Sequence, residues 1–277
     1  MNLKRLFILG DIGYYNMNLK FCVNNIKNIL NSNDVILLLG DNFYPYGIHS
    51  SQDNQIHKFT SIFNHIKNPI YSILGNHDYL LNPQSQINHE QWNMPNFYYL
   101  KNYSNINLYF LDTNQFYIEP FISKEKIEYV HNKSIDELTN NQLNWLINEL
   151  KKNILKPKII FGHYPLLTYG FYYQKMNKLH DLLFPIFQRY NVKAYISGHE
   201  HNIQFNTKMN NKYIFKQVII GSSAENRSDY KYEELDNIYN HNMYDNTDIF
   251  YGILTISNDI KIEYVNKYNK IKYSYVL

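Results

Sequence analysis

The sequence is short of the residues that several common classes of protein need. Its 277 residues include one cysteine, Cys22, so no disulfide can form within the chain and a site built from thiolate ligands is excluded. Charged residues make up 18% of the chain, the formal net charge is +3, and no dense stripe of lysine and arginine occurs. This balance argues against nucleic acid as a dedicated partner. No apolar run reaches the length of a membrane-spanning helix, so we expect no membrane partner either.

The start of the chain also lacks the features of a secretory signal. The apolar run between Met1 and Asp11 is too short for a signal peptide and already has the pattern of a strand. Together with the single cysteine, this predicts an intracellular protein, which we expect to be a monomer. Were the chain a processed form, a secretory route would open, although the argument from cysteine would stand.

The chain does contain a regular alternation of strand-like and helical patterns. Hydrophobic residues make up 44% of it, enough to bury a sizeable core in one domain spanning residues 1–277. The alternation predicts an α/β (α+β) fold with two mixed sheets packed as a four-layer sandwich flanked by helices. The predicted helices are 19–31, 55–67, 139–152 and 177–190. The predicted strands outside the motifs described next are 106–111, 217–220, 252–256, 259–265 and 271–276, with a hairpin turn at 258–259.

Five further strand-like runs share one feature: each is short, mostly apolar, and followed by glycine and then a polar residue. Such runs are typical of strands buried on both faces of a sheet, and the glycine lets the backbone turn sharply and approach a ligand closely. Because α/β sheets bind ligands beyond the carboxyl ends of their strands, we expect the polar side chains to meet in one pocket. The runs are 6–9, 35–39, 70–74, 158–161 and 194–196. The polar residues are Asp11, Asp41, Tyr44, Asn76, His163, His199 and His201.

These side chains offer carboxylate, phenolate, amide and imidazole donors, a combination that suits Fe, Mn or Zn. Tyr44 narrows the choice of metal. A phenol has a pKa of about 10 and needs a strongly Lewis-acidic metal, such as ferric iron, to stay ionised at neutral pH. Tyr44 lies three residues after Asp41, so both can reach one ion. His199 and His201 point to the same side of an extended segment, and each could serve one of two neighbouring ions. Two adjacent ions are typical of phosphate-ester hydrolysis.

At these positions the chain resembles the calcineurin-like metallophosphoesterases, and most closely the purple acid phosphatases of the tartrate-resistant type. The superfamily pattern of GD, GD, GNHD, GH and GHxH is complete. The purple branch adds a tyrosine after the second aspartate, found here as Tyr44, and the sequence GHYP, found here at 162–165. Similar segments between the motifs extend the resemblance over residues 3–265.

The resemblance implies a site with two ions. The residues that would hold a ferric ion are Asp11, Tyr44 and His201. The residues that would hold a divalent ion (Fe, Zn or Mn) are Asn76, His163 and His199. Asp41 would bridge the two ions, and His77, which is not a ligand in the family, would bind the substrate and protonate the leaving group. Asp78 would orient His77 or a ligand.

The activity implied is that of an acid phosphatase, which hydrolyses phosphomonoesters through in-line attack of a metal-bound hydroxide at mildly acid pH. Two alternatives stay open. The superfamily also includes phosphodiesterases and nucleotide pyrophosphohydrolases. Some relatives keep the fold as a docking scaffold with a weakened site, and that reading predicts lost ligand residues.

Two segments leave their roles open. The stretch 166–173 after GHYP is rich in aromatic residues where many relatives carry acidic residues or histidine; it would either stack on an aryl or nucleoside group or simply pack as a loop, the latter being favoured. The stretch 114–135 has no clear periodicity and corresponds to an exposed loop that can repress activity in relatives. Here it would be either a regulatory loop or a long surface insertion, the latter being favoured.

Overall fold

A computed structural model describes residues 2–227 and 243–277, and it confirms the prediction of two mixed sheets flanked by helices. The first sheet has the spatial order β13 (Ile271–Val276), β12 (Ile260–Asn266), β11 (Phe250–Ile256), β1 (Arg5–Leu9), β2 (Val35–Leu38) and β3 (Ile70–Ser72). The second has the order β10 (Met243–Asp245), β8 (Ile203–Asn210), β9 (Tyr213–Ile220), β7 (Ala194–Ser197), β6 (Lys158–Phe161), β5 (Asn107–Phe110) and β4 (Tyr99–Asn102). The helices are α1 (Met17–Ile29), α2 (Asn54–Phe63), α3 (Lys124–His131), α4 (Ile135–Lys152) and α5 (Asn177–Arg189).

Parallel pairing brings the ends of the motif-bearing strands together. In the first sheet β1, β2 and β3 run parallel to one another, and in the second sheet β6 and β7 do so. Each of these strands is buried along most of its length, as their continuous apolar runs predict. Their carboxyl ends therefore meet at one edge of the sandwich.

Alternating side chains of the second sheet supply two separate cores. On β5, Leu108 and Phe110 face the core between the sheets, whereas Tyr109 faces a second core beneath the outer helices. Leu146 of α4 and Leu183 of α5 complete that second core. The result is a four-layer order of helices, sheet, sheet and helices.

The helix boundaries follow local capping rather than periodicity alone. The prediction began α4 at residue 139, but the Ser134 side chain accepts a hydrogen bond from the Glu137 N–H and starts the helix four residues earlier. Cys22 is buried on α1, as expected for a small core residue. None of the helices in the described part of the chain is long and apolar enough to cross a membrane.

Several elements were not predicted. Strand β8 was missed although it alternates apolar residues with Gln204 and Asn206; both polar side chains are buried. Helix α3 buries only Ile127, so no helical period is visible.

The hairpin predicted at 258–259 is confirmed by the antiparallel pair Ile256 and Ile260. The stretch 226–248 is polar and rich in tyrosine, a composition that predicts a loop; residues 228–242 lie outside the described part of the chain, and Met243–Asp245 forms β10 instead of loop.

Candidate metal centre

The residues predicted to hold metal ions all lie at the edge where the strand ends meet. Asp11 follows β1, Asp41 follows β2, Asn76 follows β3, His163 follows β6 and His199 follows β7. All five are at most 3% exposed. A polar cluster buried this deeply is costly unless its members bind one another or a ligand.

One group of donor atoms surrounds the hydroxyl of Tyr44. It lies 2.8 Å from Asp41 Oδ2, 2.9 Å from His201 Nε2 and 3.4 Å from Asp11 Oδ1. The hydroxyl has one proton to donate, so it can satisfy only one of the two carboxylates. The oxygens left without this proton lie close together, an arrangement that a cation would satisfy.

A second group surrounds His163 Nε2. This nitrogen lies 2.9 Å from Asn76 Oδ1, 3.2 Å from His199 Nδ1 and 3.5 Å from Asp41 Oδ1. His163 Nδ1 lies 2.8 Å from the carbonyl oxygen of Leu39, which can only accept a hydrogen bond. Nδ1 therefore carries the ring proton and Nε2 presents a lone pair to other acceptors, an arrangement typical of a histidine that ligates a metal.

The two groups share one residue. Ligand atoms of Asp41, His163 and His199 all lie within 4.8 Å of one another, and those of Asp11, Asp41 and His201 do the same. Asp41 directs Oδ2 toward the Tyr44 hydroxyl and Oδ1 toward His163. Two cations bridged by its carboxylate fit this donor set.

The burial and the charges of the cluster determine whether the Tyr44 phenol can ionise. Burial, and then the Asp41 charge, raise the pKa of Asp11 well above its usual value. Burial and the two carboxylates likewise raise the pKa of the Tyr44 phenol. Burial, followed by the Arg227 charge, lowers the pKa of His201 to about 3. The protein alone thus keeps the phenol protonated, and only a strong positive charge beside it would give the tyrosinate.

Backbone geometry at the strand ends aims the donors. Asp11, Asp41, His199 and His201 have φ angles of 56°, 51°, 71° and 49°, in the left-handed region that side chains other than glycine rarely adopt. Gly75, the glycine before Asn76, is required for a different reason: a Cβ atom there would lie 2.2 Å from Asp41 Oδ1. This glycine leaves room for the Asp41 carboxylate.

Asp78 holds two of the ligand loops together. Its buried carboxylate accepts hydrogen bonds from the N–H groups of Asn42 (3.1 Å) and Gly75 (2.9 Å) and from Gln86 Nε2 (2.9 Å). Burial, with the nearby Asp41 charge, raises its pKa to about 7. Asp78 therefore contacts the backbone beside Asp41 and Asn76.

His77 lies at the open side of the cluster. Its ring is packed against Tyr44, with 4.6 Å between centroids, and its Nδ1 lies 2.6 Å from the carbonyl oxygen of Pro45. This contact places the proton of the neutral ring on Nδ1 and turns Nε2 toward Asp41 Oδ2, 4.0 Å away. Its backbone N–H also donates to Asp41 Oδ1 (2.9 Å).

Sequence reasoning missed Glu119. This residue is 4% exposed, and its Oε1 lies 3.1 Å from His199 Nε2, the ring nitrogen on the side away from the cluster. Burial raises the pKa of its carboxyl group. Glu119 belongs to the stretch 114–135, so the expectation of a surface insertion is wrong for this part of the chain. No local pattern marks it, because it lies on an irregular segment 80 residues before His199.

We expect Glu119→Gln to weaken ion binding at the group of Asn76, His163 and His199. A carboxylate beside the second ring nitrogen raises the basicity of a ligating histidine, and its loss typically costs about 10- to 100-fold in metal affinity. Calorimetric titration with Zn²⁺ measures the effect. Glu125→Gln, an exposed change on α3, is the matched control. An unchanged affinity in Glu119→Gln would show that this contact does not support the ligand.

Arg227 is a second residue that the sequence did not indicate. Its backbone N–H donates to the carbonyl oxygen of His201 (3.0 Å), which places a basic residue beside one end of the donor cluster.

Comparisons with known proteins agree with this geometry. The model of the calcineurin-like phosphoesterase family matches residues 4–202. The chain is 29% identical to purple acid phosphatase 3 of Arabidopsis thaliana, over 73% of this chain and 57% of the relative. It is 31% identical to tartrate-resistant acid phosphatase type 5 of Rattus norvegicus, over 62% of this chain and 56% of the relative. The chain thus spans little more than half the length of these relatives.

Among solved structures, the fold is similar to that of GAP50, the anchor in the inner membrane complex of Plasmodium. The TM-score is 0.76 at 22% identity, and the alignment covers 99% of this chain and 88% of GAP50. At this level of identity the likeness concerns the fold alone.

Proposed function

The chain belongs to the calcineurin-like phosphoesterase family, and from that premise we propose that it is a binuclear acid phosphatase acting on phosphomonoesters. The observation that carries the proposal is the pair of donor groups that share Asp41. The presence of Tyr44 in one group favours Fe(III) there, and the imidazole-rich group favours a divalent ion, Fe, Zn or Mn.

The residues assigned to each ion follow from the two groups of contacts. The ferric ion would be held by Asp11, Tyr44 and His201. The divalent ion would be held by Asn76, His163 and His199. Asp41 would bridge them. Such a pair of ions, when bound, would polarise a phosphoryl oxygen and lower the pKa of a nearby water.

The protein's own part is to hold these donors in their ligating forms and to supply a proton. The Leu39 carbonyl keeps the His163 lone pair directed into the site. His77, held through Nδ1 by the Pro45 carbonyl, would direct the Nε2–H of its protonated ring at the leaving oxygen. The Asp41 carboxylate, 4.0 Å from Nε2, lies on the side of the ring that faces the proposed ions.

The two alternative functions make different demands. A docking scaffold with a weakened site predicts missing ligand residues, yet all seven are present and converge. A phosphodiesterase would use the same donors, so only a comparison of monoester and diester substrates can distinguish the two activities. The iron-loaded chain is expected to hydrolyse phenyl phosphate faster than diphenyl phosphate, and the reverse order would favour the diesterase.

The ferric assignment is tested by the visible spectrum of the oxidised, iron-loaded chain. We expect a tyrosinate-to-iron charge-transfer band that is absent in Tyr44→Phe, because phenylalanine provides no oxygen ligand. Tyr46→Phe, an exposed change two residues away, is the matched control and should keep the band. If the native chain binds iron but shows no band, Tyr44 is not a ligand and the purple-type centre is wrong, even if phosphatase activity persists.

A further inference from the structure

An open pocket of about 480 Å³ adjoins the donor cluster on the side of His77 and His199. Its inner wall includes Glu119 and Tyr172, and both contact His199: Glu119 Oε1 lies 3.1 Å from the imidazole and the Tyr172 ring centroid lies 4.0 Å from that of His199. Phe121 lines the same pocket and packs on His77, with 5.7 Å between centroids. The lining of the pocket therefore contacts both His77, the proposed proton donor, and His199, a proposed ligand.

The pocket is walled by aromatic rings that remain accessible. Phe121 is 51% exposed and Phe171 is 40% exposed, and the two come from different loops. Tyr172 packs edge-on against Phe171, with 5.0 Å between centroids. Flat apolar walls of this kind bind planar rings by stacking and by burial of apolar surface.

The loop that carries Phe171 and Tyr172 is held in a fixed conformation. The buried carboxylate of Glu200, between two of the proposed ligands in sequence, accepts hydrogen bonds from the N–H groups of Phe171 (3.0 Å) and Tyr172 (3.1 Å). Gln204 Oε1 accepts from the Tyr169 N–H (2.9 Å) in the same loop. The aromatic wall is therefore preformed, so a ligand need not spend binding free energy on ordering it.

A cation lies on this wall. Lys175 Nζ is 3.4 Å from the ring centroid of Phe171 and 5.2 Å from that of Tyr172. The ring contacts hold the ammonium group at the side of the pocket that is lined by Phe171 and use none of its three N–H donors. The Glu119 carboxylate lines the same pocket and attracts this charge, but it is buried against His199, so the ammonium group keeps donors for an anion in the open part of the pocket.

We propose that this pocket is a leaving-group subsite selective for a planar aromatic ring that carries an anionic substituent. The phosphoryl group lies at the donor cluster, the ring stacks on Phe121, and the anion meets Lys175, whose ammonium group lies over the Phe171 ring. The inference rests on the proposed phosphatase function and extends it to a substrate class, the anionic aryl phosphates. It would also give the stretch 166–173 both of the roles left open for it: Glu200 and Gln204 hold that loop by hydrogen bonds, and its exposed ring, Phe171, would contact the substrate.

The test compares three substrates on the metal-loaded chain: 4-carboxyphenyl phosphate, phenyl phosphate and glycerol 2-phosphate. In Phe121→Ala we expect kcat/KM for both aryl esters to fall about fivefold more than for the glycerol ester. In Lys175→Met we expect the carboxylated ester to fall about threefold more than phenyl phosphate. Intrinsic differences in leaving-group reactivity cancel, because each variant is compared with the native chain on the same substrate.

Lys178→Met is the matched control, since it removes the same charge from an exposed position three residues away. We expect it to leave the ratio between the two aryl esters unchanged. If Lys178→Met changes this ratio as much as Lys175→Met does, the effect is one of overall charge and the subsite is overturned. An equal fall for all three substrates in Phe121→Ala would mean that Phe121 only positions His77, which also overturns it.

Binding of non-hydrolysable analogues separates the subsite from the proposed activity. Calorimetry with 4-carboxybenzylphosphonate and methylphosphonate should show tighter binding of the aryl compound to the metal-loaded chain, and a reduced preference in Phe121→Ala and Lys175→Met. This preference without any hydrolysis would refute the phosphatase and retain the subsite. Hydrolysis without a preference would retain the phosphatase and refute the subsite.

Discussion

Asp41→Asn is expected to abolish binding of both ions and to lower kcat/KM for a phosphomonoester by at least about 10³-fold. The Asp41 carboxylate is the single residue common to both donor groups, so its neutralisation weakens both sites together. Metal ions supply several kcal/mol of transition-state stabilisation, and each 1.36 kcal/mol corresponds to a factor of ten. Metal analysis after dialysis and steady-state kinetics measure the two effects.

The Asp41→Asn variant should fold, because asparagine tolerates the left-handed backbone found at this position (φ 51°). Its melting temperature should no longer rise when metal is added, whereas ions at about 1,000 times their Kd should stabilise the native chain by about 4 kcal/mol per site. Asp181→Asn, at a side chain that is 80% exposed, is the control. A variant that keeps both ions but loses activity would mean that Asp41 acts in catalysis without bridging them.

His77→Asn is expected to lower kcat by about 10²- to 10⁴-fold while the metal content stays the same. Its ring lies outside both donor groups, and its Nε2 is 4.0 Å from Asp41 Oδ2, at the open side of the cluster. An asparagine amide can donate a hydrogen bond but cannot deliver a proton. The loss should therefore be greatest for alkyl phosphates, whose leaving groups are most basic, and smallest for 4-nitrophenyl phosphate.

The dependence of kcat on the leaving group is the readout that separates proton transfer from a structural role of His77. His57→Asn, an exposed change on α2, should keep the native dependence. Equal losses on good and poor leaving groups would assign His77 to substrate binding instead of proton transfer.

The donor set was accessible from sequence because its signals are local. A buried strand that ends in glycine and a polar residue is recognisable within about ten residues, and parallel pairing then brings such ends to one edge. The same rule placed Asp11, Asp41 and His163 without any knowledge of their contacts. The strands were predictable for the same reason, because a short apolar run such as Lys158–Phe161 indicates a buried strand by its composition alone.

The supporting residues were not accessible because their signals are long-range. Glu119 contacts His199 only after the irregular segment before α3 has folded onto the centre. Strand β8 was missed although its apolar and polar residues alternate; its polar side chains Gln204 and Asn206 are buried and bind the loop after GHYP, a contact that exists only in the folded chain. Local patterns therefore indicate the proposed ligands better than the residues that support them.

The fixed loop after GHYP has a consequence for how the substrate range of such a protein could diverge. Gln217 Oε1 accepts from the N–H of Leu166 (3.0 Å), Gln204 from that of Tyr169, and Glu200 from those of Phe171 and Tyr172. Inserting or deleting one residue would shift these groups out of register and leave buried carboxylate and amide oxygens without donors, a change that is costly. The length of this loop is therefore constrained by its hydrogen bonds. New substrate specificities would arise by single substitutions of its outward-facing side chains, of which Phe171 is the first candidate.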